Sequence, residues 1–162
     1  MVNCIFSSAN YTSMKILMVC LGNICRSPLA EGILKSKLPD HYIVDSAGTI
    51  SMHEGNHPDK RSIKAAALHD IDISKQRSRP IQPEDLESFD RIYCMDRNNL
   101  KDVSSMAKNE EQRQKISLIL DVLHDKNNTE VPDPYWGNQQ DFEDVFQLLN
   151  KACDIIKFQL SE

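Results

Sequence analysis

Residues 15–20 (KILMVC) form an unbroken apolar run, partly β-branched, as a strand needs when helices cover both faces of a parallel sheet. A central strand is therefore expected here. Ser27-Pro28 follows as an N-cap with proline at the first helical position, and Leu29, Ala30, Ile33, Leu34 and Leu38 recur at helical spacing until Pro39. The unit is strand, loop, helix. Residues 42–47 (YIVDSA), 91–95 (RIYCM) and 115–120 (KISLIL) carry further strand patterns, with helices expected over residues 59–69 and about 98–106. The last helix has the clearest periodicity: Phe142, Val145, Phe146, Leu149, Ala152, Cys153, Ile156 and Leu160 repeat at three and four. This alternation implies right-handed βαβ units, hence an α/β fold with a small four-stranded parallel sheet and helices on both faces. Ligands of such sheets bind beyond the carboxyl ends of the strands, which singles out the loop over residues 20–26.

A length of 162 residues with 40% hydrophobic content fits a single domain with its own core. The formal charge of −5 argues against nucleic acid or an anionic membrane as partner, because counterion release needs clustered Lys and Arg. No apolar stretch approaches the roughly 20 residues of a membrane helix. The five cysteines, at 4, 20, 25, 94 and 153, are odd in number and scattered, which favours a reducing, cytoplasmic setting over a disulfide framework. Residues 1–13 lack the basic and long apolar regions of a secretory signal. They are expected to be a disordered N-terminal extension, native or appended, with the domain spanning residues 14–162.

Cys20 and Arg26 stand five residues apart in CLGNICR, between the strand and Ser27-Pro28. A loop of this length can turn the backbone N–H groups of Leu21, Gly22, Asn23, Ile24, Cys25 and Arg26 inward as an anion nest, with the helix adding its positive end. A dianionic phosphoryl group fits there. Arg26 offers a planar fork to two phosphate oxygens, and the same positive field favours the thiolate of Cys20, the expected nucleophile. Read alone, the C-x5-R spacing also fits a buried cysteine and a surface arginine; the preceding strand, Gly22 and the helix start favour the phosphate reading. A zinc site on Cys20 and Cys25 lacks a second ligand pair at suitable spacing, so no metal is expected.

Attack by a thiolate leaves an oxyanion to be protonated, and a carboxylic acid opposite the nucleophile must supply the proton. Asp133, held between Pro132 and Pro134 on a stiff loop, is the candidate, and Tyr135 and Trp136 follow it as flanks for a substrate ring.

The segments VCLGNICRSPLAE, VDSAGT and DPYW closely resemble the low-molecular-weight protein tyrosine phosphatases, in the family's order and over nearly the whole chain from Met14. The resemblance implies a four-stranded parallel sheet, a cysteinyl-phosphate intermediate, catalysis by Cys20, Arg26 and Asp133, and no cofactor. Phosphotyrosine proteins or peptides would be substrates, phosphate and vanadate active-site ligands, and the protein a monomer or weak homodimer. Asn23, Ser27 and Ser46 match residues that brace the phosphate loop, with the Ser27 hydroxyl also stabilising the thiolate. Cys25 matches a partner that protects Cys20 during oxidation by forming a disulfide. Asp96 matches an acidic position near the site and reads equally well as a helix cap.

Three positions depart from the family pattern: Gln76 stands for a bracing histidine, Trp136 for a tyrosine, and Met52 for an aromatic pocket wall. Arsenate reduction is a rival on related folds, but Cys94 in a strand and Cys153 on an apolar helix face do not make its redox relay. Phosphoarginine hydrolysis goes with threonine at the position of Ile24. A non-enzymatic phosphate-binding module has no need of Asp133.

Overall fold

The computed structural model describes residues 13–161, so the expected extension over residues 1–13 lies outside the described residues except at Ser13. The chain runs β1 (Lys15–Cys20), α1 (Arg26–Lys37), β2 (Ile43–Gly48), α2 (Lys60–Ala67), α3 (Asp85–Ser88), β3 (Arg91–Cys94), α4 (Arg97–Met106), α5 (Glu110–Gln114), β4 (Ile116–Leu118) and α6 (Gln139–Leu160). All three strand pairings are parallel, in the order β2-β1-β3-β4. The apolar run is a central strand, as its composition predicts. Ile16, Met18 and Cys20 belong to a core shared with Leu29, Ile33, Phe142, Phe146 and Leu149 of α1 and α6. Leu17 and Val19 point the other way, into a second core with Leu86, Phe89, Ile92 and Val103. Strand alternation thus feeds two apolar layers, and a polar residue at any of these five positions would be buried.

Two local expectations are corrected. Residues 115–120 were expected as one strand, but the strand is three residues long and turns at once into a 3-10 helix over Ile119–Leu123. Its partner β3 has only four residues, and Ile119 and Leu120 are drawn from the sheet into the core beside α6. Nor is Ser27 the N-cap of α1. The helix begins at Arg26 with Cys25 at the cap position and no side-chain cap bond, and Pro28 sits third, where a missing N–H costs nothing. The Ser27 hydroxyl is engaged elsewhere, at the phosphate loop. By contrast α6 opens with a reciprocal capping box between Asn138 and Asp141.

Because β1 connects to β2 on one side and neighbours β3 on the other, the strand order reverses between β1 and β3. A crevice forms where the order reverses, and the loop after β1 opens into it beside Met95-Asp96 after β3.

Candidate active site

The loop over residues 20–26 is held open from outside. The Cys20 and Leu21 carbonyls accept from the N–H groups of Thr49 and Ile50 at 3.0 and 3.1 Å, and the Ile24 carbonyl from Asp59 at 2.7 Å. Hydroxyls of Ser78 and Ser62 donate to the Gly22 and Cys25 carbonyls at 3.0 and 3.1 Å. In a planar trans peptide the N–H points opposite its carbonyl. Five outward-tied carbonyls therefore turn five N–H groups, those of Leu21, Gly22, Asn23, Cys25 and Arg26, toward the loop's centre. Asn23 takes the turn with φ 55°, a left-handed conformation that asparagine tolerates, and its N–H donates to Cys20 Sγ at 3.3 Å.

Cys20 is 3% exposed, and its Sγ lies 3.0 Å from Ser27 Oγ. Asn23 Nδ2 donates to both Ser27 Oγ and Ser46 Oγ, at 2.8 and 2.9 Å, so Asn23, Ser27 and Ser46 meet behind the loop. Ser46 in turn donates to Glu31 Oε1 at 2.9 Å. The Arg79 N–H donates to Asn23 Oδ1 at 3.0 Å and fixes which way the amide faces. Gln76 does not join this group: its Nε2 donates to the Pro28 carbonyl at 3.1 Å, and its Oε1 is buried without a partner. The expectation that Gln76 takes the histidine's place in the brace is corrected, and the Arg79 main chain is what meets Asn23.

Arg26 is equally buried, and both its protein hydrogen bonds use Nη1, to Asp96 Oδ2 at 2.7 Å and the Val131 carbonyl at 3.0 Å. Burial opposes its charge, but Cys20, Asp96 and Asp133 outweigh that and raise its pKa. Asp96 does two jobs at once, since its Oδ1 also caps α4 in a reciprocal box with Asn99. Asp133 Oδ2 lies 3.8 Å from Arg26 Nη2, while its Oδ1 accepts from the Tyr135 N–H at 3.1 Å. The Asp133 side chain is about half exposed, at the mouth rather than the floor.

These groups line one cavity of about 330 Å3, walled by Ile24, Ile50, Met52, His53, Tyr135 and Trp136 with Cys20, Arg26 and Asp133 at its polar end. Trp136 is 92% exposed and meets Tyr135 edge-on at 4.9 Å between ring centres, so it is a rim more than a wall. Met52, 77% exposed, also lines the cavity. Sequence reading missed Ile50 and His53 in the wall and Glu31, Arg79, Asp59 and Arg61 around the loops. Glu31 closes the PLAE segment, yet no spacing rule links it to Ser46. Buried Cys25 has its thiol pKa pushed well up by burial, with Asp59, Cys20 and Asp133 adding to it. Burial pushes Cys94 and Cys153 up to about 12.

A family model described as low molecular weight phosphotyrosine protein phosphatase matches residues 15–162. The human low molecular weight phosphotyrosine protein phosphatase is 36% identical over 150 residues, covering 90% of this chain and 94% of that protein. A protein tyrosine phosphatase from Entamoeba histolytica, solved with Hepes in its active site, superposes with a TM-score of 0.85 at 40% identity, covering 92% and 97% of the two chains. Vibrio vulnificus Wzb, solved with benzylphosphonate, does so with a TM-score of 0.82 at 29% identity, covering 90% and 98%. A parallel sheet with an anion nest after its first strand defines a phosphate-handling α/β enzyme. Within that class the chain belongs to the low molecular weight phosphotyrosine protein phosphatases, cysteine-dependent hydrolases that act on phosphoproteins.

Proposed function

We propose that the chain hydrolyses phosphotyrosine in two displacements through a cysteinyl-phosphate on Cys20. The observation that carries this reading is the meeting in one cavity of Cys20 and Arg26, from the loop over residues 20–26, with Asp133, from a segment more than 100 residues further on. The Cys20 thiolate attacks phosphorus, the bond to the tyrosine oxygen breaks, and Asp133 protonates the departing phenolate. Asp133 then takes a proton from water, whose oxygen attacks phosphorus and releases Cys20 and phosphate. The five inward N–H groups and the edge of the Arg26 fork away from Asp96 hold the phosphoryl oxygens, preorganised for the charge of the transition state. Phosphotyrosine is favoured over phosphoserine because a short alkyl ester does not reach the floor past Tyr135 and Trp136. Benzylphosphonate on Wzb, with its ring one carbon from phosphorus, supports an aryl-sized pocket. Phosphate and vanadate are ligands of the same nest. Buried Cys94 and Cys153 do not favour an arsenate relay. Among the described residues no helix is long and apolar enough to cross a membrane, and we assign the protein to the cytoplasm as a monomer or weak homodimer.

Cys20→Ser is expected to abolish turnover while vanadate still binds, measured by activity and calorimetry. Asp133→Ala is expected to slow an aryl ester with a poor leaving group by roughly 100-fold or more, and one with a very acidic leaving group far less. Equal losses on the two esters would remove Asp133 from the acid role. Turnover that survives Cys20→Ser would remove the covalent intermediate.

Redox protection belongs to the same reading. A sulfenic acid on Cys20 condenses with the Cys25 thiol, forming a disulfide and releasing water, before further oxidation makes the damage irreversible. Burial and Asp59 keep the Cys25 thiol protonated, which makes this step slower than for an exposed thiol. After peroxide and then thiol reductant, peptide mapping of the wild type is expected to show the Cys20–Cys25 pair and full recovery. Cys25→Ser should instead accumulate sulfinic or sulfonic Cys20; equal recovery of the two proteins would sink the protective role.

A further inference from the structure

Asp133 stands on a loop outside the sheet, two residues after Val131, whose N–H donates to the Met95 carbonyl at 2.8 Å. Downstream of Asp133 the loop is gripped by Arg61, the second residue of α2. Arg61 Nη2 donates to the Tyr135 carbonyl and Nη1 to the Gly137 carbonyl, both at 3.0 Å. Its guanidinium also lies 4.3 Å from the Phe142 ring centre and 5.8 Å from that of Tyr135. The fork itself is set by Asp59, which accepts from Arg61 Nε at 3.0 Å and Nη2 at 2.9 Å. Asp59 is tied to the phosphate loop through its own N–H on the Ile24 carbonyl, and Ser62, next to Arg61, holds the Cys25 carbonyl. The first turn of α2 therefore grips the nucleophile's loop with one set of bonds and the acid's loop with another.

We propose that Arg61 is a positioning residue for general-acid catalysis, locking the acid loop to the phosphate loop through Asp59 so that Asp133 stays in reach of the leaving oxygen. This rests on the assignment of Asp133 as the acid. The donors of Arg61 end on the Asp59 carboxylate and on the main-chain carbonyls of Tyr135 and Gly137, beyond Asp133. Five N–H donors in a rigid plane suit it to one carboxylate and two carbonyls at once, a task lysine cannot share. Removing the fork leaves the nest and Cys20 intact and lets the acid loop drift. A displacement of about 1 Å is enough to cost roughly 100-fold in a step that depends on geometry.

The loss should accordingly follow the need for a proton. Arg61→Ala is expected to lower kcat/KM about 10- to 100-fold on phosphotyrosine or phenyl phosphate, and less than about 3-fold on an ester with a strongly acidic phenol. Vanadate affinity should be unchanged. In an Asp133→Ala background, Arg61→Ala should cost nearly nothing further, because an absent acid cannot be misplaced. Arg61→Lys keeps the charge beside Asp59 but not the fork, and should share the leaving-group dependence; it also serves should Arg61→Ala fail to fold. A uniform loss on all esters, or full additivity with Asp133→Ala, overturns the positioning role while a leaving-group-dependent Asp133→Ala leaves the acid standing. An Asp133→Ala loss that ignores the leaving group overturns both.

Discussion

Glu31 is 5% exposed and ends a chain of hydrogen bonds that runs through Ser46, Asn23 and Ser27 to Cys20. Ser46 donates its proton to Glu31, so its oxygen is free to accept from Asn23. Asn23 spends its second amide proton on Ser27, and the Ser27 proton is left for the sulfur of Cys20. Glu31 supplies an acceptor but sits in poor surroundings for a charge. Burial raises its pKa to about 7, with the Ser46 bond and Lys35 opposing and Asp45 reinforcing the rise. A carboxyl raised on folding stabilises the fold fully below its unfolded pKa, near 4.5, and loses that contribution as pH rises through about 7. Wild type is therefore expected to lose on the order of 2–3 kcal/mol relative to Glu31→Gln between about pH 5 and pH 8. Urea midpoints of the two proteins across that window measure it, and parallel curves would contradict it.

Among the elements, β2 contributes more to the site than its edge position suggests. Its last residue, Gly48, pairs with Cys20 across the sheet and exchanges main-chain hydrogen bonds with Arg79 and Ile81, each 2.8 Å. A Cβ there would lie 2.8 Å from the Leu21 carbonyl oxygen and 3.1 Å from the Gly22 carbonyl carbon. Both are main-chain atoms of the nest, already tied from outside, so neither can step aside cheaply. Gly48→Ala is expected to destabilise the protein by about 1–3 kcal/mol and to weaken vanadate binding, since the strain falls on the phosphate loop. Thermal unfolding with and without vanadate separates the two effects; unchanged vanadate affinity would mean that the strand end gives way instead of the loop.

Across the whole molecule, legibility followed distance along the chain. The apolar run of β1, the periodic face of α6 and the seven residues from Cys20 to Arg26 are contiguous signals, and each was readable because its chemistry and its geometry reside in one segment. Asp133 was readable too, since two flanking prolines and two aromatics mark it locally. Where neighbours compete, local rules faltered: Ser27-Pro28 has the form of a cap, yet the hydroxyl of Ser27 is taken by Cys20 and Asn23. The KISLIL run has the form of a longer strand, yet the core beside α6 claims its second half. The sequence by itself therefore determined the layer architecture and marked the loop over residues 20–26 and Asp133, to which the proposed nucleophile and acid roles fall. Only the tertiary structure decided what braces them: Glu31 meets Ser46 across 15 positions, Arg79 meets Asn23 across 56, Asp96 meets Arg26 across 70, and Arg61 meets the Tyr135 carbonyl across 74. No periodicity records such meetings, because they arise when separately folded helices and strands pack in one register and bring polar groups, otherwise left unpaired, within 3 Å or so of each other.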